Sequence, residues 1–249
     1  MKLLFDIGNT RLKWALWDGT NLTQAGALAH AATIDFGALL APLRTPDAVW
    51  IASVGAPALD DALTQALAAR WPLTPNFVRS SAAACGVYNA YAQPERLGVD
   101  RFLNLIALHA SDGGVGAHVI ASCGTALTLD ALAPGGRHLG GLIAPSPDLM
   151  RQALLGNTAR LGALEDVPVV EIADSTAAAV ASGSWLAAAA LVERFRERAA
   201  SQFGTRPDLV LSGGGADRLA RLIAGPHRIE PDLVLRGLAH FADRAAHVG

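Results

Sequence analysis

Asp6-Ile7-Gly8-Asn9-Thr10 sets a carboxylate at the end of an apolar run, Leu3-Leu4-Phe5, and follows it with glycine and small polar residues. A carboxylate placed there can hold a hydrated Mg²⁺ while the N–H groups of the turn face phosphate oxygens. Thr10 and Lys13 would add a hydroxyl and a cation. The same residues equally make an ordinary hairpin, because Asp and Asn favour turns by bonding nearby backbone. Gly124-Thr125 is a second turn of the same type. If both turns meet phosphate, a nucleotide sits in a cleft between two lobes, held by two hairpins. Gly98-Val99-Asp100-Arg101 puts a carboxylate beside a guanidinium near a helix start. There the arginine could bind an anionic substrate group and the aspartate could take a hydroxyl proton. The bland alternative is a solvated helix turn with a surface ion pair. Tyr91, just upstream, belongs to this group or is packing, and Gly213-Gly214-Gly215 suits either close approach to a base or ribose or a plain loop.

Several chemistries are excluded by what is missing. The sequence has no G-x-x-x-x-G-K-[ST] loop, no protein-kinase signature set and no glycine-rich turn in a dinucleotide-binding context. With no C-x-x-C and no H-E-x-x-H, a zinc site is not expected, and His109, His118 and His138 read as core or surface residues. Cys123 lies in a proposed phosphate turn but has no arguable base partner. Cys85 and Cys123 are too few for a disulfide framework, which points to a reducing cytoplasm. A net charge of −2 gives no basic face for nucleic acid. The chain has two lysines, Lys2 and Lys13, against 18 arginines, so ammonium chemistry has few candidates. The apolar start reaches Asp6 too soon for a signal peptide. Ser175–Val192, flanked by Asp174 and Glu193, reads as a buried helix of a soluble protein and not as a membrane span.

The elements that must position these residues follow from periodicity. Leu3–Phe5 and the alternating Leu12, Trp14 and Leu16 predict a hairpin with Asp6 near its tip. Pro57 followed by Leu59, Leu63, Ala66 and Leu67 predicts a helix over 57–70. A further helix is expected from Pro94, with Val99, Phe102, Leu103 and Ile106 on one face. Ser111–Gly116 breaks the pattern and divides the chain into lobes 1–113 and 114–249. After it come a strand at 118–121, a turn at 122–125, a second strand, a long helix near 174–201, a strand at 209–211 and closing helices. Phe5–Thr10 and Ala121–Thr125 share a strand–polar–x–Gly–polar layout, which duplication or chance would explain.

In this order the motifs resemble the type III pantothenate kinases of the acetate/sugar kinase–Hsp70–actin superfamily. The carriers are Asp6–Thr10, Pro94-Glu95-Arg96-Leu97-Gly98-Val99-Asp100-Arg101, Gly124–Asp130, Gly140–Pro145, Leu149-Met150, Thr158-Ala159, Ser175-Thr176 and Ser212-Gly213-Gly214. The resemblance implies an α/β fold of two ribonuclease-H-like (actin-like ATPase) lobes with an ATP cleft between them. It implies phosphoryl transfer from ATP, with Mg²⁺ at Asp6, to the primary hydroxyl of pantothenate, the first committed step toward coenzyme A. Asp6, Ile7, Gly8, Asn9, Thr10, Arg11, Leu12 and Lys13 match the family's first ATP-binding segment, and Gly124 and Thr125 its second. Asp100 matches the general base, and Tyr91, Gly98, Val99, Arg101 and Thr176, with Asp100 itself, match pantothenate-binding positions. The resemblance further implies a cytoplasmic homodimer with no nucleic-acid or membrane partner. One departure stands out: the family's second motif opens on an Asp of a monovalent-cation site, and here that position is Ser122. A neutral hydroxyl supplies an oxygen without a charge, so weak dependence on K⁺ or NH₄⁺ is expected. Two other readings stay open, a kinase for another hydroxy acid and a nucleotide-binding regulatory protein without turnover.

Overall fold

Leu3, Leu4, Phe5 and Ile7 are all fully buried, which is why the first strand reads as a near-continuous apolar run instead of an alternating one. In the computed structural model, which describes residues 1–30, 34–156 and 167–245, this strand is the middle of a sheet. Thr158-Ala159 of the motif set lies outside the described residues.

By its contacts the chain forms two units. The first begins with β1 (Lys2–Ile7), β2 (Arg11–Trp17), β3 (Leu22–Ala29), α1 (Phe36–Leu40), β4 (Ala48–Ser53), α2 (Pro57–Arg70) and β5 (Asn76–Phe77). A small antiparallel pair, β6 (Ala83–Ala84) and β7 (Val87–Tyr88), precedes α3 (Val99–Ser111). The strands are ordered β3-β2-β1-β4-β5, with β1 antiparallel to β2 and parallel to β4. Its core joins Phe5, Leu12 and Leu16 to Phe36, Leu40, Val49, Ile51, Leu63 and Leu67. α2 spans the expected residues, with Pro57 in the first turn where its missing N–H costs nothing. α3 starts later than expected. Pro94–Arg96 forms only a short 3₁₀ turn, and Leu97 and Gly98 are then extended, with Leu97 buried.

The second unit holds β8 (His118–Cys123), β9 (Ala126–Ala133), β10 (Arg137–Pro145), α4 (Pro147–Gly156), α5 (Thr176–Phe203), β11 (Asp208–Ser212), α6 (Ala216–Ala220) and β12 (Arg228–Ile229). Its strands run β10-β9-β8-β11-β12, five of a seven-stranded sheet that β7 and β6 extend past β10, where Arg137 pairs with Tyr88. β8 is antiparallel to β9 and parallel to β11, which is parallel to β12. These five strands repeat the strand order of the first sheet, so the layout shared by the two turns belongs to two copies of one strand order. α5 is capped by Ser175, whose Oγ accepts from the Ala178 N–H, and ends at Gly204 in the left-handed region. By length and composition α5 could cross a membrane, but Ala181, Trp185, Ala188 and Val192 lie in the core of this unit. Burial covers one stripe only. The expectation of a helix buried from Ser175 onward is corrected there, since Ser175, Thr176 and Ala177 are exposed.

The chain then returns to the first unit with α7 (Leu233–Ala245). The expected break at 113/114 lies close to the end of the first stretch at Val115, but 232–245 group with the first unit and not with a lobe running 114–249. The physical reason is packing. A Cβ at Gly237 would sit 2.0 Å from the Leu103 carbonyl oxygen, so α7 crosses α3 backbone against backbone. Lys2 holds the other end of α7 through Asp243 at 2.6 Å and the Ala242 carbonyl at 2.8 Å. Gly135–Arg137 also group with the first unit, where the Gly135 N–H donates to the Gly114 carbonyl at 2.8 Å.

Candidate active site

The β1–β2 register places Asp6 opposite Lys13 and Ile7 opposite Leu12. Four residues, Gly8 to Arg11, close the hairpin, and the Gly8 N–H donates to the Arg11 carbonyl at 3.0 Å. Gly8 therefore spends its N–H inside the turn, and the exposed part of the loop is Asn9-Thr10-Arg11. Ile7 and Leu12 are fully buried and anchor the hairpin in the core. Asp6 is only partly accessible. Its burial, together with the nearby carboxylates of Asp100 and Asp232, pushes its carboxyl up to about 7, although Lys13 acts in the opposite direction. Two carboxylates thus act on the Asp6 carboxyl at this corner of the first unit, with Lys13 opposing them.

Asp100 is in the first turn of α3, where the helix dipole favours a carboxylate. Its side chain folds back over Gly98: a Cβ at Gly98 would lie 2.6 Å from Asp100 Oδ1. A side chain at 98 would push the Asp100 carboxylate out of this position, and Val99 beside it is buried. Arg101 is 4 % exposed, and its Nη1 donates to the Tyr91 hydroxyl at 3.0 Å. The guanidinium also lies 5.8 Å from the centre of the Tyr91 ring, a cation–π arrangement. The surface-ion-pair reading of Asp100-Arg101 is therefore corrected for Arg101, which is a buried cation with an aromatic partner.

Asp232 is the residue that sequence reading missed. It precedes α7, its carbonyl accepts from the Arg236 N–H, and its Oδ1 is 3.6 Å from Lys13 Nζ. The only signal was an Asp after Pro231 and before an amphipathic run, which reads as a helix cap.

In the second unit the β8–β9 register pairs Ser122 with Thr128 and Cys123 with Leu127. Ser122 thus holds the place that Asp6 holds in the first hairpin, and Thr128 the place of Lys13. Three residues close this turn, and the Gly124 N–H donates to the Ala126 carbonyl at 2.9 Å. Gly124 and Thr125 are exposed. The Gly213–Gly215 turn packs directly on it. A Cβ at Gly213 would be 2.4 Å from the Cys123 carbonyl oxygen, and the Gly215 N–H donates to that oxygen at 2.9 Å. Cys123 is buried, which pushes its thiol up to about 11 and leaves no thiolate for nucleophilic chemistry. Thr176 is exposed in the first turn of α5. His118 and His138 are buried, with His138 Nε2 2.9 Å from Asp130, away from either turn's tip. Among the described residues there is no group of three or more His, Cys, Asp or Glu placed to hold a metal by themselves.

The chain matches the family model for type III pantothenate kinases over residues 2–198. It is 36% identical to the type III pantothenate kinase of Nitrosococcus oceani, covering all of this chain and 96% of that one. Identity is 41% to the enzyme of the same name from Stenotrophomonas maltophilia strain R551-3, over 96% of both chains, and 40% to that of Burkholderia thailandensis, over 98% of both. Among solved structures it resembles a Baf-family protein of Campylobacter jejuni, with TM-score 0.59, 19% identity and coverage of 98% and 99%. It also resembles component A of (R)-2-hydroxyglutaryl-CoA dehydratase from Acidaminococcus fermentans, with TM-score 0.53, 14% identity and 98% coverage of both chains. Likeness at such identity shows the fold alone, a mixed α/β architecture of the actin-like ATPase kind.

Proposed function

The chain belongs to the type III pantothenate kinase family, and from that premise we propose that it transfers the γ-phosphoryl group of ATP to the primary hydroxyl of pantothenate, the first step of coenzyme A synthesis. The observation that carries the site assignment is the meeting, within one unit, of the Asp6–Lys13 hairpin with the start of α3. Phosphoryl transfer asks mainly for positioning and charge neutralisation, and these residue types supply both. Asn9, Thr10 and Arg11 form the exposed rim of the first turn, suited to phosphate oxygens, with Lys13 as the neighbouring cation. Gly124 and Thr125 are assigned the same task on the second turn.

Asp100 takes the general-base role. An aspartate is a weak base, so it orients the alcohol and accepts its proton late, as the new P–O bond forms. Gly98 leaves room for the Asp100 carboxylate, and Val99 fixes the turn in the core. Arg101 is held by Tyr91 and faces the pantothenate carboxylate or amide, with Thr176 at the other substrate position.

Mg²⁺ fits the donor set at Asp6. Burial and, after it, the Asp100 and Asp232 carboxylates raise the Asp6 carboxyl, a setting that favours a bound cation, and Mg²⁺ needs only one or two carboxylates when phosphates and waters complete its shell. Asp6 would hold the ion, which would offset charge on the phosphates. Ser122, at the matching place of the second hairpin, offers a hydroxyl oxygen only, so only weak dependence on K⁺ or NH₄⁺ is expected.

The protein acts as a cytoplasmic homodimer in this reading, independent of nucleic acid and membrane. Leu142 and Ile143 on β10, with Leu149 and Leu154 on α4, are large exposed apolar side chains on consecutive elements, the kind of surface a second copy covers. Light scattering coupled to gel filtration tests the dimer. Turnover is tested with a coupled assay for ADP, with and without pantothenate and against a panel of hydroxy acids. Pantothenate-dependent ADP release supports the proposal, ADP release with another acid favours the other kinase reading, and none with any acid favours a regulatory protein.

A further inference from the structure

Both lysines of the chain are tied to the two ends of one helix. Lys2, at the start of β1, pairs with Asp243 near the end of α7, and Trp17 Nε1 donates to the same carboxylate at 2.9 Å. Lys13, beside the first turn, pairs with Asp232 just before α7 begins. Between these two fastenings Gly237 brings α7 into backbone contact with Leu103 of α3, the helix whose first turn carries Asp100. One rigid helix therefore spans from the phosphate hairpin to the helix of the proposed base. The family-model match ends at residue 198, before α7 begins.

We propose that Asp232 is a positioning residue, which fixes the ammonium of Lys13 beside the first turn so that it meets the nucleotide's phosphates. A lysine carries four rotatable bonds, and a cation left loose must be ordered when the ligand binds, at an affinity cost. Lys13 also stands opposite Asp6 in the hairpin, close enough for cross-strand attraction. Asp232 gives the ammonium a second anchor on the α7 side and limits its collapse onto Asp6. The Lys13 side chain is 28% exposed and that of Asp232 is 41% exposed, so the pair is reachable by a ligand. An exposed pair of this kind contributes little to folding, and its value lies in placement. The inference rests on the kinase reading only for the identity of the nucleotide.

The test is a double-mutant cycle read by binding of a fluorescent, non-hydrolysable ATP analogue with Mg²⁺. Asp232→Ala should weaken binding about tenfold in the wild-type background and have no further effect in Lys13→Met. Asp232→Glu should restore most of the affinity, and Asp232→Asn, nearly isosteric, should repeat the alanine result if the alanine variant folds poorly. In steady-state kinetics the KM for ATP should rise by a similar factor, with the KM for pantothenate within about twofold of wild type. Equal losses in both lysine backgrounds, or a loss shared by both substrates, overturns the proposal. A wild-type protein that binds the analogue yet does not phosphorylate pantothenate overturns the substrate assignment alone, because the binding cycle still reads the Lys13–Asp232 coupling.

Discussion

The two hairpins share a frame and differ in charge. In each, the first two strands of a shared 3-2-1-4-5 order, extended by two further strands in the second sheet, meet at a glycine whose N–H is used to close the turn. The first hairpin pairs Asp6 with Lys13, while the second pairs Ser122 with Thr128. The first is bordered by further charges, Asp100 and Asp232. The second is backed by the bare glycine turn 213–215 and a buried, protonated Cys123. Topology therefore sets where a turn is held, and the residue pair behind the turn sets what that turn does. In the proposed function the first hairpin supplies the groups for chemistry, and the second supplies contact.

Four experiments press on this difference. Asp6→Ser makes the first hairpin resemble the second. It should lower kcat about a thousandfold, roughly 4 kcal/mol of transition-state stabilisation, in single-turnover assays. A loss under tenfold would mean that the charge behind the turn is dispensable. Next, Gly213→Val should destabilise the second unit by about 3 kcal/mol in urea unfolding, since its side chain would collide with Cys123 backbone at a φ of +85°.

The third concerns pH in the ligand-free protein. The folded-state value of Asp6, about 7, lies above the ordinary aspartate value of 3.8, so the folded state binds more protons than the unfolded state between those limits. Stability from this group is thus lost as pH rises through that window. Asp6→Asn should melt about 4 °C higher than wild type at pH 8 and at the same temperature near pH 4. An unchanged difference across that range would show that the carboxyl titrates normally. The smallest effect concerns Ser122: replacing Na⁺ by K⁺ should change wild-type turnover less than about twofold, while Ser122→Asp should introduce a measurable K⁺ dependence. A steep K⁺ requirement in the wild type would break the contrast between the hairpins.

Much of this frame was legible in the residues. Pro57 and its apolar spacing marked α2, and the run Leu3–Phe5 ending at Asp6 marked the first turn. Gly98 was legible only as a turn residue; that it makes space for Asp100 needs the rotamer. The duplication was faint because the turns share few side chains, and it shows only in strand order and register. Asp232 was illegible for a different reason. Its partner Lys13 lies near the other end of the sequence, and no periodicity reports a contact between such distant segments. The 3₁₀ break at Leu97 was hidden because Pro94 suits a true helix equally well.

The return of α7 to the first unit has a consequence for synthesis. β1 and β2 leave the ribosome ahead of the second unit, yet α7 is made after the whole of it. The second unit, nearly continuous in sequence, can close while the first still lacks a layer of its core. Contacts of such large sequence separation form slowly, so Lys2 and Lys13 must wait for their aspartates while the β1–β2 surface stays uncovered. The half to which the proposed function assigns the chemistry is thus the half that matures later, and it is the one a chaperone would meet unfinished.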